Sequence, residues 1–281
     1  MCVRKAKHMK EKISLAGDLG SGKSTVARIL IDALGAEYYS TGNIVRGIAD
    51  SMNMTVVELN KYMETHPEID TMIDDGLVRL SDDDRLLVID SRMAWHFTKG
   101  TFKVYLSTDI ETSALRIMYA NRKGEHSATL EETIADTRAR RQSEQKRYMT
   151  QYGVDIKDLT NYSLVVDTTV ASPDEVAATI LSAFEEWKTN RDLKLCCLSP
   201  ERLNYIDDEQ DAEKIAEYST ALELGESIPP VTVFESEGEF YVEDGIESAL
   251  AHAFNFDTFT PAVLVKGEVG DRKYVRMKNS F

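Results

Sequence analysis

The sequence predicts an α/β fold built on a five-stranded parallel sheet, followed by a small α+β unit. Three observations lead there. Strand-like and helix-like segments alternate from about residue 12 to about residue 188, and repeated strand–helix–strand units require parallel strands whose crossover helices cover both faces. A glycine-rich loop, Gly17-Asp18-Leu19-Gly20-Ser21-Gly22-Lys23-Ser24, lies between the first strand and the first helix. After Trp187 the alternation stops, Lys188–Asp192 reads as a linker, and short strands and helices follow in another order. The chain thus divides into a basic tail at 1–11, an α/β domain at 12–188 and a second unit at 193–281.

The first strand, Ile13–Ala16, is a short apolar run, and the loop after it fits the phosphate-loop pattern G-x-x-x-x-G-K-[ST]. Its three glycines let the backbone wrap an anion, with the N–H groups turned towards phosphate oxygens. The helical pattern Thr25–Ile31 follows, so the positive end of a helix dipole points at the same place. Gly17, Gly20, Ser21, Gly22, Lys23, Ser24 and Thr25 are therefore the candidate ATP-binding residues. Lys23 is expected to reach the β- and γ-phosphates and the Ser24 hydroxyl to hold Mg²⁺.

Ligands of such sheets sit beyond the carboxyl ends of the strands, so residues that follow strands carry the information. After the second strand, Glu37–Ser40, comes Thr41-Gly42-Asn43. Gly42 permits close approach of the chain, and Thr41 or Asn43 can cap the next helix. Arg46 then falls one turn in, with a guanidinium suited to bidentate phosphate binding. The stretch from Met52 to Leu80 reads as two or three short helices, one opened by Pro67, and Ser81–Asp84 as a solvated turn. The third strand, Leu86–Asp90, ends on a carboxylate that can hold Mg²⁺ through its water shell, and Arg92 is placed to meet a second phosphate.

A fourth strand at Phe102–Leu106 and a helix at Glu111–Met118 lead to a polar, glycine-containing stretch, Tyr119–His126, suited to a lid. The long helix Leu130–Gln151 carries Arg138, Arg140, Arg141 and Arg147. Arg140 and Arg147 are seven apart and share a face, with Glu144 between them. They are candidates to follow the charge on a moving phosphoryl group; the alternative is a solvated helix on which Glu144 pairs with both. The fifth strand is Ser163–Asp167.

Taken together, the phosphate loop, Ser40-Thr41-Gly42-Asn43-Ile44-x-Arg46, Ile89-Asp90-Ser91-Arg92 and Arg140-x-x-Ser143-Glu144-x-Lys146-Arg147-Tyr148 resemble the cytidylate kinases, above all their short-lid subgroup. Further echoes are His66-Pro67-Glu68-Ile69-Asp70, Tyr152–Ile156 and Asp167-Thr168-Thr169. The resemblance covers about 175 residues and implies the nucleoside-monophosphate kinase fold, with Mg²⁺-dependent transfer of the ATP γ-phosphate to CMP or dCMP. It implies that Thr41, Gly42, Arg46 and Arg92 bind the acceptor monophosphate. Lys23, Arg122, Arg140 and Arg147 would surround the transferring phosphate, and Ser24 and Asp90 would serve the metal. Two positions depart from the family: Asn43 where aspartate is frequent, and Ser91 where glycine is frequent.

In the second unit a strand is expected at Leu195–Leu198, a helix at Asp211–Leu224, a hairpin of Val231–Phe234 with Phe240–Val242, a helix from Asp244-Gly245 through Phe254 and a last strand at Pro261–Val265. The order Ile228-Pro229-Pro230-Val231-Thr232-Val233, Phe240-Tyr241-Val242-Glu243-Asp244-Gly245 and Ala249-Leu250-Ala251 is similar to the ParB/sulfiredoxin-like domain. Members that bind phosphate carry His or Arg at the helix start. Here Asp244-Gly245-Ile246-Glu247-Ser248 stands, and its glutamate repels phosphate, so interaction or regulation is the expected role.

Charge sets limits on partners. The formal net charge is −15, and such a surface opposes nucleic-acid backbone binding. About −10 of it falls beyond Leu193, which points to a possible protein partner for the acidic second unit. No apolar run approaches membrane-spanning length, and Cys2, Cys196 and Cys197 form no disulfide framework or zinc pattern, so a reducing cytoplasm fits. Besides the kinase, an ATP-binding regulator that turns over no small molecule remains open at this level.

Overall fold

The computed structural model describes residues 11–120, 129–208 and 210–277. The elements run β1 Lys12–Gly17, α1 Lys23–Leu34, β2 Glu37–Ser40, α2 Thr41–Ser51, α3 Val56–Met63, α4 Pro67–Arg79, β3 Leu87–Asp90, α5 Ala94–Phe97 and β4 Thr101–Ser107. They continue through α6 Ile110–Tyr119, α7 Leu130–Tyr152, β5 Leu164–Asp167, α8 Pro173–Thr189, β6 Leu195–Leu198 and β7 Leu203–Ile206. The last are α9 Ala212–Glu223, β8 Val231–Ser236, β9 Glu239–Asp244, α10 Ile246–Phe254, β10 Thr260–Leu264 and β11 Tyr274–Arg276.

Local chemistry explains several boundaries. Helix α7 opens on a capping box between Thr129 and Glu132 and stops at Gly153, whose φ of 65° is a left-handed conformation. Helix α8 has the same box between Ser172 and Glu175, with proline in its first turn. At α2 the cap falls on neither of the expected residues, Thr41 or Asn43. Ser40 is the N-cap and accepts from Asn43 N, while Thr41 already lies within the helix.

Strands β1 to β5 are parallel and neighbour one another in the order β2-β3-β1-β4-β5. The expectation that the sheet ends at five strands is corrected. Strand β6 pairs parallel to β5, β10 antiparallel to β6, and pairing continues through β8, β9, β7 and β11 to give one 11-stranded sheet. The reason is physical: β5 would otherwise present an unpaired row of N–H and C=O groups, and the few residues after α8 bring Leu195 level with Leu164. Strands β7 and β11 go unpredicted because they are only 4 and 3 residues long and lack a clear apolar alternation.

Two apolar clusters flank the sheet. One packs Ile13, Leu15, Val104 and Val166 against Val26 and Leu30 of α1 and Ile180, Phe184 and Trp187 of α8. The other runs from Ile89, Tyr105 and Tyr162 without a break to Leu198, Leu203, Val231, Phe240 and Met277. The strands beyond residue 193 thus share a core with the first five. A third, smaller cluster of Val56, Leu59, Met63 and Ile73 lies under α2, α3 and α4, which fold as a unit between β2 and β3. At the start of α10, Gly245 is the N-cap with φ 79°, and Glu247 in the first turn pairs with Lys214 at 3.3 Å.

Candidate active site

Among the described residues, the phosphate loop and the starts of α1 and α2 follow the carboxyl ends of β1 and β2, and Asp90 ends β3. The loop after β1 turns tightly enough to require its glycines. A Cβ on Gly17 would lie 2.3 Å from Leu106 O, and one on Gly20 would lie 2.5 Å from Ser113 O. Ser21 Oγ donates to Asp18 O at 2.8 Å and Asp18 N to Leu106 O at 2.9 Å. The Asp18 carboxylate accepts from Tyr105 OH and from Thr108 N, each at 3.1 Å, and faces Arg141 Nη2 at 3.5 Å. Sequence reasoning missed this clamp of Asp18, Tyr105 and Arg141, whose members lie far apart in the chain.

The loop forms one wall of a cleft of about 360 Å³. Gly20, Ser21, Gly22, Lys23 and Ser24 line it, as do Thr41, Gly42 and Arg46 of α2. Asp90 and Arg92 complete the floor, and Arg140 and Arg147 close it from α7. Gly17 forms the base of the loop, and Thr25 is exposed on α1 outside the lining. Arg122 lies outside the described residues, as do most of the expected lid stretch and the tail up to residue 10.

Lys23 Nζ donates to Asp18 O at 2.5 Å, Gly17 O at 3.1 Å and Ser21 Oγ at 3.3 Å. Burial in the cleft wall, reinforced by the nearby Arg92 charge, pushes its ammonium down to about 7. A polyphosphate on the loop favours the charged form, so binding at pH 8 is expected to draw up to about one proton per site from solution. Calorimetry of ATP binding in two buffers of different ionisation enthalpy measures this directly. Identical apparent enthalpies would contradict the assignment.

Arg46 Nη2 donates to Asn43 Oδ1 at 2.6 Å across one turn of α2. Asp90 Oδ2 accepts from Tyr38 OH at 2.9 Å, and burial beside this carboxylate raises Tyr38 to about 12. Arg92 Nε donates to Glu144 Oε2 at 2.8 Å, and its Nη1 donates to Gly17 O. Glu144 Oε1 also lies 3.2 Å from Arg140 Nε. Glu144 is thus the hub that ties α7 to the loop, and it is buried rather than solvated. Burial alone would raise its carboxyl, but Arg92 and Arg140 outweigh that and hold it at about 2.

Arg147 does not follow the alternative in which Glu144 pairs with both arginines. Its Nε lies 3.1 Å from Asp70 Oδ2, and its Nη1 donates to Asn60 O at 2.9 Å and Asn60 Oδ1 at 3.0 Å. It fastens α7 to α3 and α4 and forms the far wall of the cleft. Asp74 on that wall accepts from Tyr152 OH at 2.8 Å, and burial pushes its carboxyl up to about 7. Asp70 and Asp74 were not singled out from the sequence. Their spacing of four on one helical face was the available signal.

The donor set fits Mg²⁺ held together with a nucleotide. Ser24 and Asp90 bring a hydroxyl and a carboxylate to the same cleft, both hard oxygen donors. Among the described residues no three His, Cys, Asp or Glu side chains gather as a metal site of their own. A cation here would complete its shell with phosphate oxygens and water.

A glycine-tight phosphate loop at a sheet's carboxyl edge, sharing one cleft with Arg46, Arg92, Arg140 and Arg147, defines a phosphate-loop nucleotide-binding protein of α/β class. The sequence model of the Cytidylate kinase-like family matches residues 12–170, more than half of the chain, and the protein belongs to that family. A cytidylate kinase of Thermoplasma volcanium is 35% identical over 179 residues, which span 62% of this chain and 92% of the relative. One of Archaeoglobus fulgidus is 33% identical over 65% of this chain and 99% of its own length. An S-adenosylmethionine-dependent nucleotide dehydratase of Lacinutrix mariniflava is 35% identical over 63% of this chain, which corresponds to 37% of that protein. The family match stops before β6.

Proposed function

We propose that the protein transfers the γ-phosphoryl group of ATP to a nucleoside monophosphate, with CMP or dCMP as the acceptor. The observation that carries this reading is the shared cleft: the phosphate loop on one side, Arg46 and Arg92 beside it, and the α7 arginines opposite. The cytidylate kinase relatives support the choice of acceptor.

Within this reading the loop N–H groups and Lys23 hold the donor phosphates, and Arg46 and Arg92 hold the acceptor phosphate. Ser24 and Asp90 would hold Mg²⁺, which would neutralise charge on the donor phosphates. Arg140 and Arg147 supply positive charge along the path of transfer, and α7 limits access of water that would hydrolyse ATP. The acceptor phosphate is itself a nucleophile at neutral pH, so no general base is needed. The strands beyond residue 193 are read as a degenerate ParB/sulfiredoxin-like unit. Support for that reading is the order strand, turn, strand and helix in β8, β9 and α10. Glu247 stands where a phosphate-binding member has a basic residue.

Measuring ADP release with a panel of nucleoside monophosphates tests the proposal. Stimulation by CMP or dCMP supports it, stimulation by another monophosphate moves only the acceptor, and ATP binding without any turnover turns the reading into that of a regulator. Arg46→Ala is expected to raise the acceptor KM by about tenfold or more, the worth of a charge-assisted bidentate contact. The KM for ATP should stay within about twofold, and an unchanged acceptor KM would remove Arg46 from the site.

A further inference from the structure

The carboxyl edge of β4 and β5 contains a buried charge that does not belong to the family's part of the chain. Arg202, which follows β6, is 0% exposed, as is its partner Asp167 at the end of β5. Arg202 Nη1 lies 3.2 Å from Asp167 Oδ1 and donates to Ser107 Oγ at 3.0 Å. Its Nη2 donates to Gly238 O at 2.5 Å, in the turn between β8 and β9, and its guanidinium carbon lies 5.0 Å from the Phe240 ring centroid. A fully buried guanidinium costs several kcal/mol in desolvation, offset here by the contacts of Nη1 and Nη2, while Nε has no hydrogen-bond partner among the described residues.

What those contacts hold is the loop after β5. Asp167 Oδ1 accepts from Thr169 N at 3.0 Å and Thr169 Oγ1 at 2.6 Å, while Oδ2 accepts from Ser199 N at 3.2 Å. Ser107 O accepts from Thr168 N at 2.8 Å, and the next residue, Thr108, donates to Asp18 of the phosphate loop. Arg202 therefore touches the ends of β5 and β4: the loop after β5 hangs from the first, and Thr108, the residue after the second, bonds to the phosphate loop.

The proposed function fixes which nucleotide this concerns. Arg46 and Arg92 lie on the β2–β3 side of the phosphate loop, whereas Asp167 and Ser107 lie on the β5–β4 side. In-line transfer places donor and acceptor on opposite sides of the moving phosphorus, so the body of the donor nucleotide lies towards the loop after β5. Resting on that reading, we infer that Arg202 is a positioning residue for the donor site. The strands beyond residue 193 then act as the floor that sets affinity for ATP and leaves affinity for the acceptor alone.

The experiment is calorimetric ATP binding, without acceptor, on the full chain and on Arg202→Met, Arg202→Lys and Ser107→Ala, with both KM values and Tm measured alongside. Arg202→Met is expected to weaken ATP binding about tenfold, a typical coupling between linked sites, with the acceptor KM within about twofold. Arg202→Lys keeps the charge and should recover part of the loss. Ser107→Ala retains the ion pair and removes one hydrogen bond, so a smaller shift confined to ATP is expected even if Arg202→Met does not fold. Unchanged ATP affinity in folded Arg202→Lys and Ser107→Ala overturns the inference while leaving the kinase reading intact. Parallel loss of both KM values and of Tm overturns it as well, because that is the behaviour of a merely structural residue. If the unaltered chain binds no ATP, the proposed function falls and the inference with it.

Discussion

Lys23→Ala is expected to lower kcat by on the order of a thousandfold, about 4 kcal/mol in barrier height. The reasoning starts from geometry: Nζ is held among Gly17 O, Asp18 O and Ser21 Oγ, at the mouth of the loop where donor phosphates would sit. A single preorganised cation facing developing negative charge in a cleft that excludes water supplies more than the same charge in solution. The ammonium has a second signature. Because it sits at about 7 without ligand, the wild-type proton uptake on ATP binding should vanish in the alanine variant. Rapid-quench measurement of kcat, with ATP binding followed in two buffers, checks both. A kcat within tenfold of the wild type would show that the loop amides alone carry the donor phosphates.

The second large effect is on stability. Glu144→Ala should destabilise the fold by about 3–5 kcal/mol, because it leaves Arg92 and Arg140 without the buried carboxylate that faces both. Side-chain exposure is only 8% for Glu144 and 17% for Arg92, so solvent compensates little. The pH dependence follows from the same pair. The folded-state pKa of Glu144, about 2, lies below the ordinary glutamate value. Its stabilisation is therefore complete above the unfolded pKa and is lost as pH falls through the folded one, between about pH 4 and pH 2. Urea denaturation of the wild type and of Glu144→Gln across that range should converge at the acid end. Parallel curves would assign the acid sensitivity to other carboxylates.

Much of the architecture was legible because it is local. Strands β1, β3, β4 and β5 announce themselves as short, mainly apolar runs, and the loop glycines mark a turn that no side chain fits. The positions of Arg46, Asp90 and Arg92 follow from the rule that ligands collect beyond strand ends. What was hidden is non-local. Nothing near Arg147 in sequence points to Asp70 and Asn60, and the Glu144–Arg92 pair is 52 residues apart. The merger of two expected sheets into one was hidden for a similar reason. Leu195–Leu198 reads equally well as the first strand of a new unit or as the sixth of an old one, and only the pairing with β5 decides. Arg202 had no motif around it, and its meaning comes entirely from what it is buried against.

That merger decides which backbone edges the chain shows to solvent. A sheet ending at β5 would show solvent the backbone edge of Leu164-Val165-Val166-Asp167, an apolar strand open to pairing with another copy. Instead the sheet runs on to β11, three residues long, preceded by Lys273 and ending on Arg276, while its other margin is the four-residue β2 beginning at Glu37. Short charged margins are poor templates for stacking molecules edge to edge. Severing the chain after α8 would uncover the β5 edge and the apolar side chains that the later strands cover.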